Sequence, residues 1–421
     1  MTEIAAPAAT PFRVPSLIKR NVALFALSQS FTGAGMQLAY GIGPLMVIAL
    51  TGSSALAGLF VGLVGMSRFL VAYPIGKIMD RYGRKPGIML GLVLALVGSL
   101  LMGTMMHIQS IVGLAIGMLV FGMGMNAANQ MRVAATDMFP SRYRATALGY
   151  VALGSVAGLF FSPMVIAAAE RFAPGLGPDP MALSWFLLPP LIVMGMILIR
   201  FVRPDPKEIG MRLGDYYPGY APPPSPAGAQ ASRFNASDLL RAVPTRLAIV
   251  ANCAGQANMS IVMVLTSLVL HHHGHSLTHI AISHLFHSMG MFAFTIPLGR
   301  LSDRFGRERV MYPGVATTLV GAILVTFTEG YGLITLGTFL VGIGWAAANV
   351  SATALIADHA RTEVRGRAIG LNETFAGISS VAAALVTGPL ITWSGLPAAG
   401  ATAAIVAAVP LIMVLVTKVP K

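Results

Sequence analysis

Cysteine is almost absent: Cys253 stands alone among 421 residues, which excludes an intramolecular disulfide and any multi-cysteine metal site. Charge is nearly as scarce. With 10% charged residues against 55% hydrophobic ones and a mean hydropathy of +0.75, the chain is too apolar to be a soluble globule. The first 18 residues hold no long apolar run, so no cleavable signal peptide is expected. The histidine-rich stretch lacks the glutamate of a His-Glu-x-x-His helix, which argues against metal-assisted hydrolysis and predicts that the protein is not an enzyme.

What the chain has instead is a series of apolar runs of about 20 residues, the length that crosses a bilayer as a helix. The pattern predicts an all-α membrane protein of twelve transmembrane helices, near 21–49, 54–79, 85–106, 109–131, 145–170, 182–202, 244–270, 279–302, 309–328, 331–356, 367–391 and 395–417. A net charge of +13 suggests nucleic acid at first sight, but its distribution points to the lipid bilayer as the partner. On the twelve-helix reading, 25 of the 28 basic residues lie in the termini, the even-to-odd loops or the adjoining helix ends. The opposite loops hold only Arg171, and Arg68 and Arg132 fall inside helices. By the positive-inside rule both termini are expected in the cytoplasm.

One long polar interruption runs from about Arg203 to Arg241, and its Tyr217-to-Pro226 stretch is rich in proline and glycine, as linkers are. This divides the chain into 1–202, a cytoplasmic linker at 203–242, and 243–421. The two flanking segments repeat one another. Gly76-x-x-x-Asp80-Arg81-x-Gly83-Arg84-Lys85 returns as Gly299-x-x-x-Asp303-Arg304-x-Gly306-Arg307-Glu308, at an offset of 223. Asp137, Arg144 and Gly149 return as Asp358, Arg365 and Gly370, and Gly122, Gly124 and Asn129 as Gly342, Gly344 and Asn349. Two related six-helix halves are expected.

That motif resembles the loop between helices two and three of the major facilitator superfamily. The first copy departs only at Lys85 and the second only at Glu308. The resemblance implies two pseudo-symmetric halves that rock about a substrate site near the bilayer midplane. It also implies that Gly76, Asp80, Arg81, Gly83 and Arg84, with Gly299, Asp303, Arg304, Gly306 and Arg307, form a cytoplasmic gating motif.

Seven of the nine histidines lie between His271 and His287, on and beside a loop that joins the seventh and eighth predicted helices. On a 3.6-residue helix Asn252, Gln256, Met259 and Met263 share one face, and Ile280, His284, His287 and Met291 share another. Methionine is an ordinary core filler, but intramembrane histidines usually face an aqueous path or a partner. Thioether and imidazole together suit a soft metal such as Cu(I), and thioethers bind it without losing a proton. Arg68, Arg132 and Glu373 are ionisable groups within spans, expected in proton coupling, anion contact or internal hydrogen bonding. Gln29, Met36 and Tyr40 share a face of the first helix.

Met259-x-x-x-Met263 with His287-x-x-x-Met291 also resembles the metal motifs of the CcoA-like copper importers, a branch of the same superfamily. The resemblance implies copper as the transported substrate, with Met259, Met263, His287 and Met291 as ligands, His284 nearby and no permanently bound cofactor. The competing expectation is a proton-coupled transporter of an organic solute, riboflavin-like or drug-like, whose cavity these stripes merely line. A non-transporting receptor or metal sensor is a third.

Overall fold

The computed structural model describes residues 14–140, 143–217, 240–359 and 365–417. The proline-rich stretch after Tyr217, and the side chains of Arg144 and Arg365 from the sequence repeat, lie outside the described residues. The described chain is helical almost throughout, because lipid offers the backbone no hydrogen-bonding partners.

The N-terminal part comprises α1 (Ser16–Thr51), α2 (Leu59–Tyr82), α3 (Arg84–His107), α4 (Ile111–Ala128), α5 (Met131–Asp137), α6 (Arg144–Gly158), α7 (Phe161–Leu176), α8 (Pro180–Leu187) and α9 (Pro189–Arg200). Two short helices, α10 (Pro206–Met211) and α11 (Leu213–Tyr216), follow. The C-terminal part comprises α12 (Val243–His272), α13 (Leu277–Ala293), α14 (Thr295–Phe305), α15 (Arg307–Phe327), α16 (Tyr331–His359) and α17 (Arg365–Val416).

Several expected helices are broken, and proline explains most of the breaks. Pro189 and Pro190 follow the junction of α8 and α9, and Pro163 sits one turn past the break between α6 and α7. Pro297 cannot donate to the carbonyl four residues earlier, and the α13–α14 pair bends by 41° there. At the other extreme, the last two expected spans run as one helical stretch interrupted at Gly395, which takes φ 80° and ψ 172°. Among the described residues, ten helical segments are therefore long and apolar enough to cross a membrane, or eleven with the bent pair taken as one span. The expected number was twelve.

The sequence repeat recurs as packing. A Cβ on Gly91 would come within 2.7 Å of Ala127, and one on Gly314 within 2.5 Å of Ala347, so α3–α4 and α15–α16 approach equally closely through small residues.

The two parts meet mainly at the end remote from the Gly83 and Gly306 turns. Ser54 and Thr392 share a hydroxyl bond of 3.0 Å, and the Ser267 hydroxyl donates to the Gly41 carbonyl at 2.9 Å. Glu170 on α7 accepts from the backbone N–H groups of Leu277 at 2.7 Å and Thr278 at 3.3 Å, and from the Thr278 hydroxyl. A carboxylate at the α13 N-terminus satisfies free N–H groups and suits the helix dipole.

Candidate functional site

Between the two parts lies a cavity of about 210 Å³. Helix α1 contributes Gln29, Met36 and Tyr40, and α4–α5 contribute Asn129 and Arg132. From the other side α12 supplies Met259 and Met263, and α13 supplies His287, Ser288, Met291 and Phe292. The helical repeat explains the pairs, since residues four apart share a face. Ser276 starts α13 correctly, its hydroxyl capping the His279 N–H at 3.3 Å.

His287 is oriented for use. Its Nδ1 lies 2.9 Å from the Thr338 carbonyl, which only accepts, so Nδ1 carries the proton. Nε2 keeps its lone pair, and it is buried with no hydrogen-bond partner. His284 is placed differently from the expectation. Its Nε2 meets the Ser267 hydroxyl at 2.9 Å, and it does not line the cavity. Three residues before His287, it sits about 4.5 Å further along the helix, at the level where α1 closes on α12.

Among the described residues, no three His, Cys, Asp or Glu side chains come together as a metal-holding group. A metal in the cavity would rest on thioethers and one imidazole. Where α12 passes into α13, His271, His272 and His273 are exposed, while the His275 and His279 rings lie tilted and edge-on to Tyr331, with centroids 5.2 and 5.3 Å from it. Cys253 packs beside the Leu371 and Phe375 cluster.

A second cavity, of about 440 Å³, shares Met36, Tyr40 and Met259 with the first. Arg68, Gln256 and Glu373 line it together, so these three are gathered, though apart from Arg132 and His287. Asn129, Gln37, Ser155, Ser288 and Phe292 are cavity residues that sequence reasoning missed. For Gln37, Ser155 and Ser288 the signal was slight, a polar side chain in an apolar run; Asn129 was marked only by the repeat, and nothing set Phe292 apart.

The motif loops lie at the far end of these helices. Gly83 turns with φ 106° and Gly306 with φ 99°, values that side chains other than hydrogen resist. Arg84 bridges Asp80 at 3.2 Å and Asp137 at 2.6 Å, whereas Arg307 bridges Asp303 and, at 3.0 Å, Asp358. Arg81 and Arg304 take no part; each lies over the ring of its neighbour, Tyr82 or Phe305, at 5.1 and 5.3 Å. Gly76 and Gly299 are helical, with no atom nearer than 3.7 Å to an added Cβ. Sequence reasoning also missed Asp205, whose position before Pro206 is a helix-start signal. Its carboxylate accepts from the N–H groups of Arg84 at 3.0 Å, Lys85 at 2.9 Å and Lys207 at 2.8 Å.

A many-span helical membrane protein with a mixed polar and apolar cavity between two repeated parts is built as a transporter. The sequence profile of the Major Facilitator Superfamily matches residues 25–215 and 247–421, and the chain belongs to that family. It is therefore a secondary active transporter and not an enzyme. It is 27% identical over 388 residues to the uncharacterized MFS-type transporter YdeG of Bacillus subtilis, covering 91% of this chain and 89% of the relative. It is 25% identical over 396 residues to the riboflavin transporter RfnT of Brucella anthropi, covering 90% of each. The fold is similar to that of a D-xylose-proton symporter, with a TM-score of 0.70 at 14% identity over 94% of this chain and 97% of that one. None of these points to the copper-importing branch.

Proposed function

We propose that the chain is a bacterial inner-membrane transporter that carries a small organic solute by alternating access. Counting the segments on either side of Gly395 separately gives twelve helices, in halves 1–202 and 243–421 joined by the linker 203–242. Both termini and the motif loops face the cytoplasm, so the Glu170 and Ser54 contacts close the outer end. The observation that carries this reading is the cavity itself, lined from both halves by polar Gln29, Asn129 and Arg132 and by apolar Met259, Met291 and Phe292. Together with the adjoining space it falls in the range of ordinary ligand sites. Its similarity to a riboflavin transporter supports an organic cargo. Glu373 and Arg68 line the second cavity together, and proton coupling is the role this reading assigns to them. Proteoliposomes loaded with riboflavin are expected to exchange labelled riboflavin saturably, with or without a copper chelator. Absence of any exchange, tested also with a drug-like fluorescent dye, sinks the reading.

A second reading, Cu(I) import, is favoured by one specific observation. Met259, Met263, Met291 and the free Nε2 of His287 face one space, a soft donor set loose enough to release its cargo. His287 binds metal only when neutral, so uptake would fall in acid. Copper accumulation in cells decides it: Met263→Ala with His287→Ala must abolish accumulation, and unchanged accumulation removes copper.

A further inference from the structure

The cavity between the two parts holds a cation that no carboxylate among the described residues neutralises. Arg132 projects from α5 into it, and its Nη2 donates to the Ser155 hydroxyl at 2.8 Å, while its Nε is buried with no partner. The Phe292 ring lies 5.6 Å from the guanidinium carbon, across the gap between the two parts. Among the described residues no carboxylate pairs with Arg132. Asp137, one and a half turns further along the same helix, is taken by Arg84 at 2.6 Å. An unpaired guanidinium in a water-poor site is costly, and a carboxylate or phosphate offers it a planar, charge-assisted match.

The other unsatisfied groups of the cavity refine the partner. Gln29 gives its amide N–H to the Asn129 side chain at 3.0 Å, which leaves Oε1 buried with no donor. His287 Nε2 is likewise an acceptor without a donor. The walls between these three positions are thioether and aromatic, formed by Met125, Met259, Met291 and Phe292. The complement of this surface is one molecule with an anionic group, a flat apolar body and at least one O–H or N–H.

We infer that Arg132 is the recognition residue for a small organic anion, held by its carboxylate or phosphate while Gln29 and His287 accept hydrogen bonds from its other end. This deepens the organic-solute reading and rests on it. It narrows the cargo from any organic solute to hydroxylated or amino-bearing aromatic acids.

The test uses a matched pair, 4-hydroxybenzoate and its uncharged amide, with the purified full-length protein in chloride-free buffer so that no inorganic anion competes. Calorimetric titration is expected to show the acid binding about 10- to 100-fold more tightly than the amide, the usual worth of a charged hydrogen bond. Arg132→Gln should bring the acid down to the level of the amide, and an unchanged gel-filtration profile and thermal unfolding midpoint in detergent show that the variant is folded. Arg132→Lys should retain part of the preference. Equal binding of acid and amide by the unaltered protein, binding of neither, or an undiminished preference in Arg132→Gln overturns the anion assignment. Those results leave organic transport standing if riboflavin or the fluorescent dye still exchanges in proteoliposomes; absence of exchange with riboflavin, the dye and labelled 4-hydroxybenzoate alike brings down both.

Discussion

The two motif loops share a sequence and a backbone but differ in how they are held. In the first, Arg84 and Asp137 are 23% and 24% exposed, and Asp205 caps α3 from the segment leading out of the N-terminal part. Lys85 reaches back to the carbonyls of Arg200, at 2.7 Å, and Val202, at 3.1 Å. Tyr217 closes the same region, its hydroxyl donating to the Met138 carbonyl at 3.1 Å, and burial raises its phenol above the ordinary range. In the second, Arg307 is 25% exposed but its partner Asp358 is 55% exposed, and a Cβ on Gly306 would meet no atom of the described residues within 4 Å. A Cβ on Gly83 would lie 2.7 Å from the Asp205 carboxylate. The comparison teaches that the motif supplies the turn and the arginine clasp in both loops. The added chain after α9 makes the first clasp a fastened joint and leaves the second an open one.

The sharpest way to break this contrast is Gly83→Ala against Gly306→Ala. Both incur backbone strain of about 1–3 kcal/mol from a glycine-only conformation. Only the first also displaces Asp205, so its thermal unfolding midpoint should fall clearly further; equal losses would refute the fastened joint. Arg84→Ala should cost about 2 kcal/mol through the part-buried pair with Asp137. Arg307→Ala should stay below about 1 kcal/mol because its partners are largely solvated. The two variants measured side by side in detergent give the difference directly, and high salt should shrink only the second.

Asp205→Ala should cost about 1–2 kcal/mol, the loss of one carboxylate that caps both α3 and α10. Combined with Gly83→Ala it should prove less than additive, since both remove the same cap. Within the first loop the smallest expected effect is Tyr217→Phe, about 1 kcal/mol for one buried hydrogen bond. A Tyr217→Phe loss exceeding that of Asp205→Ala would move the fastening from the carboxylate to the tyrosine.

Much of this was legible beforehand, for identifiable reasons. Apolar runs and the repeat at Asp80 and Asp303 report on bilayer thickness and duplicated structure, both of which act locally on the chain. The facing of Met259, Met263, His287 and Met291 into one cavity followed from helical periodicity. Periodicity also placed His284 on that stripe, and the height at which α1 meets α12 took it away. Asn129 and Ser155 entered the site through helices folded against one another, and no single stretch of chain announces such a meeting. The count of spans drifted because Gly395 interrupts α17 without a polar loop to mark it.

The composition and pattern of these residues were enough to commit the chain to lipid, to duplicate its loops and to mark the family, because burial in a bilayer leaves the backbone few alternatives. Whether a buried charge finds a partner is a different matter. Arg84 finds Asp137, whereas among the described residues Arg132 finds the Ser155 hydroxyl and no carboxylate, and that distinction rests on distances between helices that the order of residues does not set. Packing of one part against the other decided which polar groups were satisfied and which were left facing an empty space.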